Sequence, residues 1–300
     1  RLVVPRVAGS NPVCRPILFC TVILRVRIIF LFLFVQLVSF GNSWLPKEIV
    51  TEEHIDLSYG ENPKQVLDVV TSEKCNRSPV VIFVHGGSWR WGRKDYHRAI
   101  GKQLARSGIL FITINYRLYP EAKFPAFPED VALSVKWARG NVKKFGGDPG
   151  KVFLMGHSAG AHSVSLVGLD SRYLKKMGGG LDWIKGVITL ACPFHFDPSK
   201  EFLYRNLFPG EFDPKKMMPM GIEAESGIPP FFIMHGFLDP IIRHELAFKF
   251  AEKINDSGGD AKIMLYNSHG HASLIRRTTS WHIWPKPLLQ DVISFVNSKV

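Results

Sequence analysis

The chain has 300 residues, of which 46% are hydrophobic, 12% aromatic and 21% charged; this suits one large globular domain or two modest ones and excludes a disordered polymer. The formal charge of +12 owes much to the first 41 residues, which carry Arg1, Arg6, Arg15, Arg25 and Arg27 and no acid. Beyond them no Lys/Arg block remains, so a nucleic-acid-binding surface, which needs a clustered basic stripe, is excluded.

The apolar run "IIFLFLFVQLV" at 28–38 is short against the roughly 20 residues of a membrane span. With "RVR" before it and Ser39-Phe40-Gly41 after it, the run reads as a secretory signal cleaved near Gly41, which makes the protein exported, periplasmic or secreted. The competing reading is an uncleaved membrane anchor over residues 17–40. There is no methionine before Met155, so residues 1 to about 23 also read as a gene-model extension. Residues 42–300 are expected to form a single domain. Only Cys75 and Cys192 lie within it, too few for a disulfide framework. No CxxC or HExxH spacing suggests a metal, and no cofactor is expected.

From residue 42 onward strands and helices alternate. "HIDLSYG" (54–60) and "QVLDVVT" (65–71) read as an antiparallel opening pair. "VVIFVHGG" (80–87) and "ILFITINY" (109–116) are continuous apolar runs, the pattern of strands buried on both faces. Between them lies a helix ended by Gly108, and "EDVALSVKWARGNVKKFGG" (129–147) is an amphipathic helix with a glycine stop. The strand "VFLMG", a helix from about 159, the strands 186–192 and 230–236, a helix over 242–259, the strand 261–267 and a last helix over 287–299 follow. Such alternation predicts a mostly parallel twisted sheet with helices on both faces. Residues 193–229, rich in proline, phenylalanine and methionine, break the rhythm and are expected to form a small inserted cap.

Within "FLMGHSAGAHS" (153–163), Ser158 stands two residues after Gly156 and two before Gly160. Gly-x-Ser-x-Gly between a strand and a helix is a nucleophile elbow: a strained turn lifts the hydroxyl out of the sheet, and bulk at either glycine would strike the neighbouring strand and helix. A serine hydroxyl needs a base, and the base needs an orienting acid. Asp239 follows the strand "PFFIMHG", and His271 follows the strand "IMLYN". His269 competes with His271 as base. Asp256 and Asp260 read as solvated, His235 as a packing histidine, and His162 as either a neighbour of the serine or a satisfied buried histidine. In "VHGGSWRWG" (84–92), the N–H groups of Gly86 and Gly87 can join that of Ala159 around an oxyanion.

The set "HGGSW", "NYRLYP", "FPAFPEDV", "GGDPGKVFLMGHSAGAH" and "HGFLDP…HGH" resembles the α/β-hydrolase superfamily. Within it the likeness is to the HGGxW branch of carboxylesterases, feruloyl-esterase-like proteins, kynurenine formamidases and isoprenylcysteine methylesterases. By position the resemblance implies Ser158, Asp239 and His271 as catalytic triad and Gly86, Gly87 and Ala159 as oxyanion donors. Ser88 stands where other branches have a third glycine. The resulting expectation is a serine esterase acting through an acyl-enzyme on a small ester with an apolar or aromatic group, with Trp89, Phe202, Phe208 and Met218 as substrate contacts. A formamidase or amidase with the same triad is the alternative, and a non-catalytic binding module a remote one.

Overall fold

The computed structural model describes residues 49–210, 213–276 and 286–300. The expected signal, anchor and extension lie outside the described residues, as does Phe212 of the expected cap. Among the described residues no helix is long and apolar enough to cross a membrane.

Within the unit Ile49–Val300, eight strands form one sheet: β1 (Thr51–Ser58), β2 (Val66–Ser72), β3 (Ser78–Val84), β4 (Leu110–Ile114), β5 (Gly147–His157), β6 (Ile184–Leu190), β7 (Phe231–Gly236) and β8 (Ala261–Tyr266). Their order is β1-β2-β4-β3-β5-β6-β7-β8. β1 and β2 pair antiparallel, as does β2 with β4, and every later pair is parallel. The interior strands β3 and β4 are apolar runs because both of their faces are covered. The edge strand β8 alternates instead, with Lys262 and Met264 exposed.

The helices are α1 (Arg98–Arg106), α2 (Ala126–Asn141), α3 (Ala159–Leu169), α4 (Ser171–Lys175), α5 (Pro214–Met217), α6 (Glu245–Asp256), α7 (Ser273–Arg276) and α8 (Lys286–Ser298). Strand period sorts their partners. Val80, Ile82, Val84 and Leu154 face a core shared with Phe127 and Val131 of α2, Val164 of α3 and Phe250 of α6. Val81, Phe83, Phe153 and Met155 face the other core, with Ile100 and Leu104 of α1 and Leu288 and Val292 of α8. Every residue of α3 is buried, so it shows no amphipathic stripe and depends on the sheet and its neighbouring helices for stability.

The segment 193–229 folds as a run of turns; its described residues hold only α5 and a 3₁₀ turn at Pro219–Gly221. It is fastened at named points. Phe194 stacks on Phe250 at 4.0 Å between ring centres. Lys253 Nζ donates to Met220 O (2.8 Å) and to Ile222 O.

An ion cluster centred on the buried Asp68 and Lys94 holds the loop after β3. Lys94 Nζ lies 2.6 Å from Asp68 and 2.7 Å from Asp56, Arg98 Nε donates to Asp68 at 2.8 Å, and the Lys94 N–H donates to Asn115 Oδ1 at 2.8 Å. Asp68 is fully buried, so losing both cations would leave a costly unpaired charge.

Candidate active site

Ser158 sits between the end of β5 and the first residue of α3, at φ 53° and ψ −118°. A non-glycine residue in that region stores strain of about 1–3 kcal/mol, held by its surroundings. The flanking glycines are required sterically. A Cβ at Gly160 would come 2.1 Å from Val84 O of β3, and one at Gly156 would come 2.5 Å from Gly160 C at the start of α3. The neighbours the motif implies are the neighbours found.

Two loops bring an acid and a base to this serine. After β7 the chain enters the turn 237–242, and after β8 the loop 267–272. The two are laced together: Phe237 N–H donates to Tyr266 O at 3.0 Å and Leu238 N–H to His269 O at 2.9 Å. Glycines permit the approach, since a Cβ at Gly236 would meet His269 O at 2.3 Å and one at Gly270 would meet Leu238 O at 2.8 Å. As a result Asp239 Oδ2 lies 2.8 Å from His271 Nδ1, and His271 Nε2 lies 3.0 Å from Ser158 Oγ. The Asp239 carboxylate is fully enclosed, and Oδ1 accepts from the N–H groups of Ile241 and Ile242, both at 2.9 Å. Burial by itself would raise this carboxyl. The contacts from His235 and His271 and the Ile242 N–H outweigh it, so Asp239 is held below its ordinary value and stays ionised. With an acceptor at Nδ1, His271 carries its proton there and leaves Nε2 free to accept one from the serine.

Gly87 (φ 117°) and the two non-glycine residues after it, Ser88 (φ 54°) and Trp89 (φ 55°), all adopt positive φ. Among the described residues neither the Gly87 N–H nor the Ala159 N–H has a hydrogen-bond acceptor, and both residues line the cavity over Ser158. Ala159 also opens α3, whose first N–H groups carry positive potential. Gly86 is placed differently. It packs against His157 and Ser158, where an added Cβ would lie 2.8 Å from His157 Nδ1 and 3.0 Å from Ser158 Cβ. Its carbonyl accepts from His85 Nδ1 at 2.8 Å, and it is absent from the cavity lining.

The cavity has a volume of about 770 Å³. Its apolar wall is Trp89, Pro193, Phe196, Tyr204, Ile242 and Leu246, and its charged members are Glu201, Arg243, Glu245 and Lys249. Of the four expected substrate contacts, Trp89 alone lines it. Phe202 is 81% exposed, with the Arg205 guanidinium over its ring at 4.8 Å. Phe208 is buried against Trp89 (5.0 Å) and Phe124 (5.6 Å), and Met218 is buried in the same core. A run of turns has no period that tells inward from outward, so composition could not separate these residues from Phe196 and Tyr204. The wall from the Asp239 turn and α6, Ile241 to Lys249, is the part sequence reasoning missed; its one signal was position just after Asp239.

The other histidines divide by their contacts. His269 lies outside the cavity lining, with Nδ1 3.2 Å from Ser268 Oγ. His162 Nε2 donates to Met217 O at 2.8 Å, and burial pulls its imidazole down to about 3. Two contacts were not foreseen. His157 Nε2 donates to His271 O at 3.1 Å, and burial, then the His271 ring, draws it down to about 3. His235, expected to be a packing residue, has Nε2 3.4 Å from Asp239 Oδ2. Asp260 pairs with Lys299 at 2.7 Å, away from the site.

This mostly parallel sheet, with its serine elbow and its acid and base on later strand-end loops, has the α/β-hydrolase fold. Residues 67–182 match the BD-FAE family model. A probable isoprenylcysteine alpha-carbonyl methylesterase of Oryza sativa subsp. japonica is 31% identical over 72% of the chain and 56% of its own length. Esterase LipC of Mycobacterium tuberculosis is 31% identical over 65% of the chain and 53% of its own. The chain thus spans little more than half the length of these curated relatives. Among solved structures, esterase B from Lactobacillus rhamnosis superposes with a TM-score of 0.70 at 18% identity, covering 92% of the chain and 96% of its own.

Proposed function

We propose that the protein is a serine carboxylic-ester hydrolase. The observation that carries this reading is the hydrogen-bonded series Asp239–His271–Ser158, with links of 2.8 and 3.0 Å, ending on a hydroxyl that lines a large, mostly apolar cavity. His271 takes the Ser158 proton as Oγ attacks the ester carbonyl. The Gly87 and Ala159 N–H groups receive the oxyanion, and Asp239 steadies the imidazolium. His271 then gives its proton to the departing alcohol oxygen, leaving the acyl group on Ser158. Water, deprotonated by the same imidazole, releases the acid and restores the serine. The apolar wall suits an ester with a bulky aliphatic or aryl group. The relatives, a methylesterase and an esterase by name, agree with this reaction type.

The test is a panel of p-nitrophenyl esters of increasing chain length, with fluorophosphonate labelling of the protein alongside. Ester turnover with covalent label on Ser158 is expected. A folded protein that neither turns over esters nor takes label would remove the reading.

A further inference from the structure

Asp239 is the most constrained side chain of the site, and one group constraining it has no place in the reaction described above. His235, next to last in β7, is fully buried. Its Nε2 lies 2.9 Å from Ile242 O and 3.4 Å from Asp239 Oδ2. Both neighbours are acceptors, so Nε2 carries a proton, donated chiefly to the carbonyl and directed electrostatically at the carboxylate. Among the described residues Nδ1 has no hydrogen-bond partner, so a proton there would be buried without an acceptor.

The Ile242 peptide is therefore held from both sides. Its C=O accepts from His235, while its N–H donates to Asp239 Oδ1 at 2.9 Å. The turn carrying Asp239 is tied to the neighbouring loop through the Phe237 and Leu238 N–H groups, but the side chains of Phe237, Leu238 and Ile241 are all exposed and add little packing. His235 draws this turn back onto the strand it has just left. It fixes Asp239 both directly and through Ile242, whose side chain also lines the cavity.

We propose that His235 is a positioning residue that sets the Asp239 carboxylate against His271 and, through it, the reactivity of Ser158. The proposal rests on the serine-hydrolase reading. Second neighbours that orient a reacting group typically change activity by about 10–100-fold when removed. His235→Leu is accordingly expected to lower kcat by about that factor with KM changed less than about twofold, and to slow fluorophosphonate labelling of Ser158 equally. His235→Gln, whose amide N–H reaches the Nε2 position, should recover most of the rate; His235→Asn, whose amide reaches only the Nδ1 position, should not. This Gln–Asn comparison also serves if the leucine variant does not fold.

A residue acting through the carboxylate has nothing to act on once that charge is gone, so His235→Leu should cost no further rate in an Asp239→Asn background. A merely structural role would give the same loss in both backgrounds, or a smaller labelled fraction at an unchanged labelling rate. Either result overturns the proposal, as does wild-type kcat in the leucine variant. A wild-type protein that takes no label would instead overturn the serine-hydrolase reading beneath it.

Discussion

Ser158 is held in a backbone conformation that few side chains adopt, and its two glycines meet backbone atoms of β3 and α3 at distances no Cβ could tolerate. For that reason a five-residue pattern was enough to read the elbow from sequence: each position answers to a hard steric limit. The same holds for Gly236 and Gly270, which let the two strand-end loops touch. His157 and His235 were harder to read, because their roles are contacts to a distant carbonyl and carboxylate that no local spacing encodes. At this scale Ser158→Ala is expected to keep its fold and lose roughly 10⁴ or more in kcat, as in other triad removals. His271→Ala should be nearly as damaging. His269→Ala should cost about 10-fold or less, because its side chain lies outside the cavity while its backbone carbonyl still accepts from Leu238. Steady-state kinetics of the three variants, with circular dichroism to confirm folding, would check the ranking; a larger loss at His269 would move the base.

At the scale of elements, strands and helices were legible wherever burial imposes a period. The run 80–87 became β3, which begins two residues earlier and stops at Val84, and 109–116 became β4, trimmed at both ends, where hydrogen bonding rather than hydrophobicity sets the limit. The segment 193–229 was legible only as an interruption. Its composition suggested a lid of substrate contacts, whereas the folded segment uses Phe194 and Phe208 as core and leaves Phe202 outside. Phe208→Ala should therefore destabilise by about 3–5 kcal/mol, while Phe202→Ala should stay within about 0.5 kcal/mol. Leu246→Ala, in the part of the cavity lining supplied by α6, should instead re-rank short against long esters by about 1–3 kcal/mol with little change in stability. Melting temperatures and chain-length profiles of the three variants separate these roles; an unchanged profile in Leu246→Ala would take α6 out of the specificity argument.

At the scale of the whole molecule, four buried histidines make stability depend on pH in a definite direction. Burial pulls His85 down to about 4 and His157 and His162 to about 3, and it holds His97 well below its ordinary 6.5. All four are buried in the native state, so they stay unprotonated there while an unfolded chain takes up a proton at each below about pH 6.5. Their contribution to stability is present above that pH. It is lost as pH falls toward the native values, at about 1.4 kcal/mol per pH unit for each histidine once the unfolded groups are protonated. The melting temperature should hold near pH 7.5 and fall steeply between pH 6 and 4.5, before Asp239, itself held low, can protonate. His162→Gln offers a separate check. The amide can keep the bond to Met217 O but cannot titrate, so the acid slope of this variant should be shallower by one histidine's share. Calorimetry of both proteins across this range measures the difference, and parallel slopes would show that His162 takes no part in the acid response.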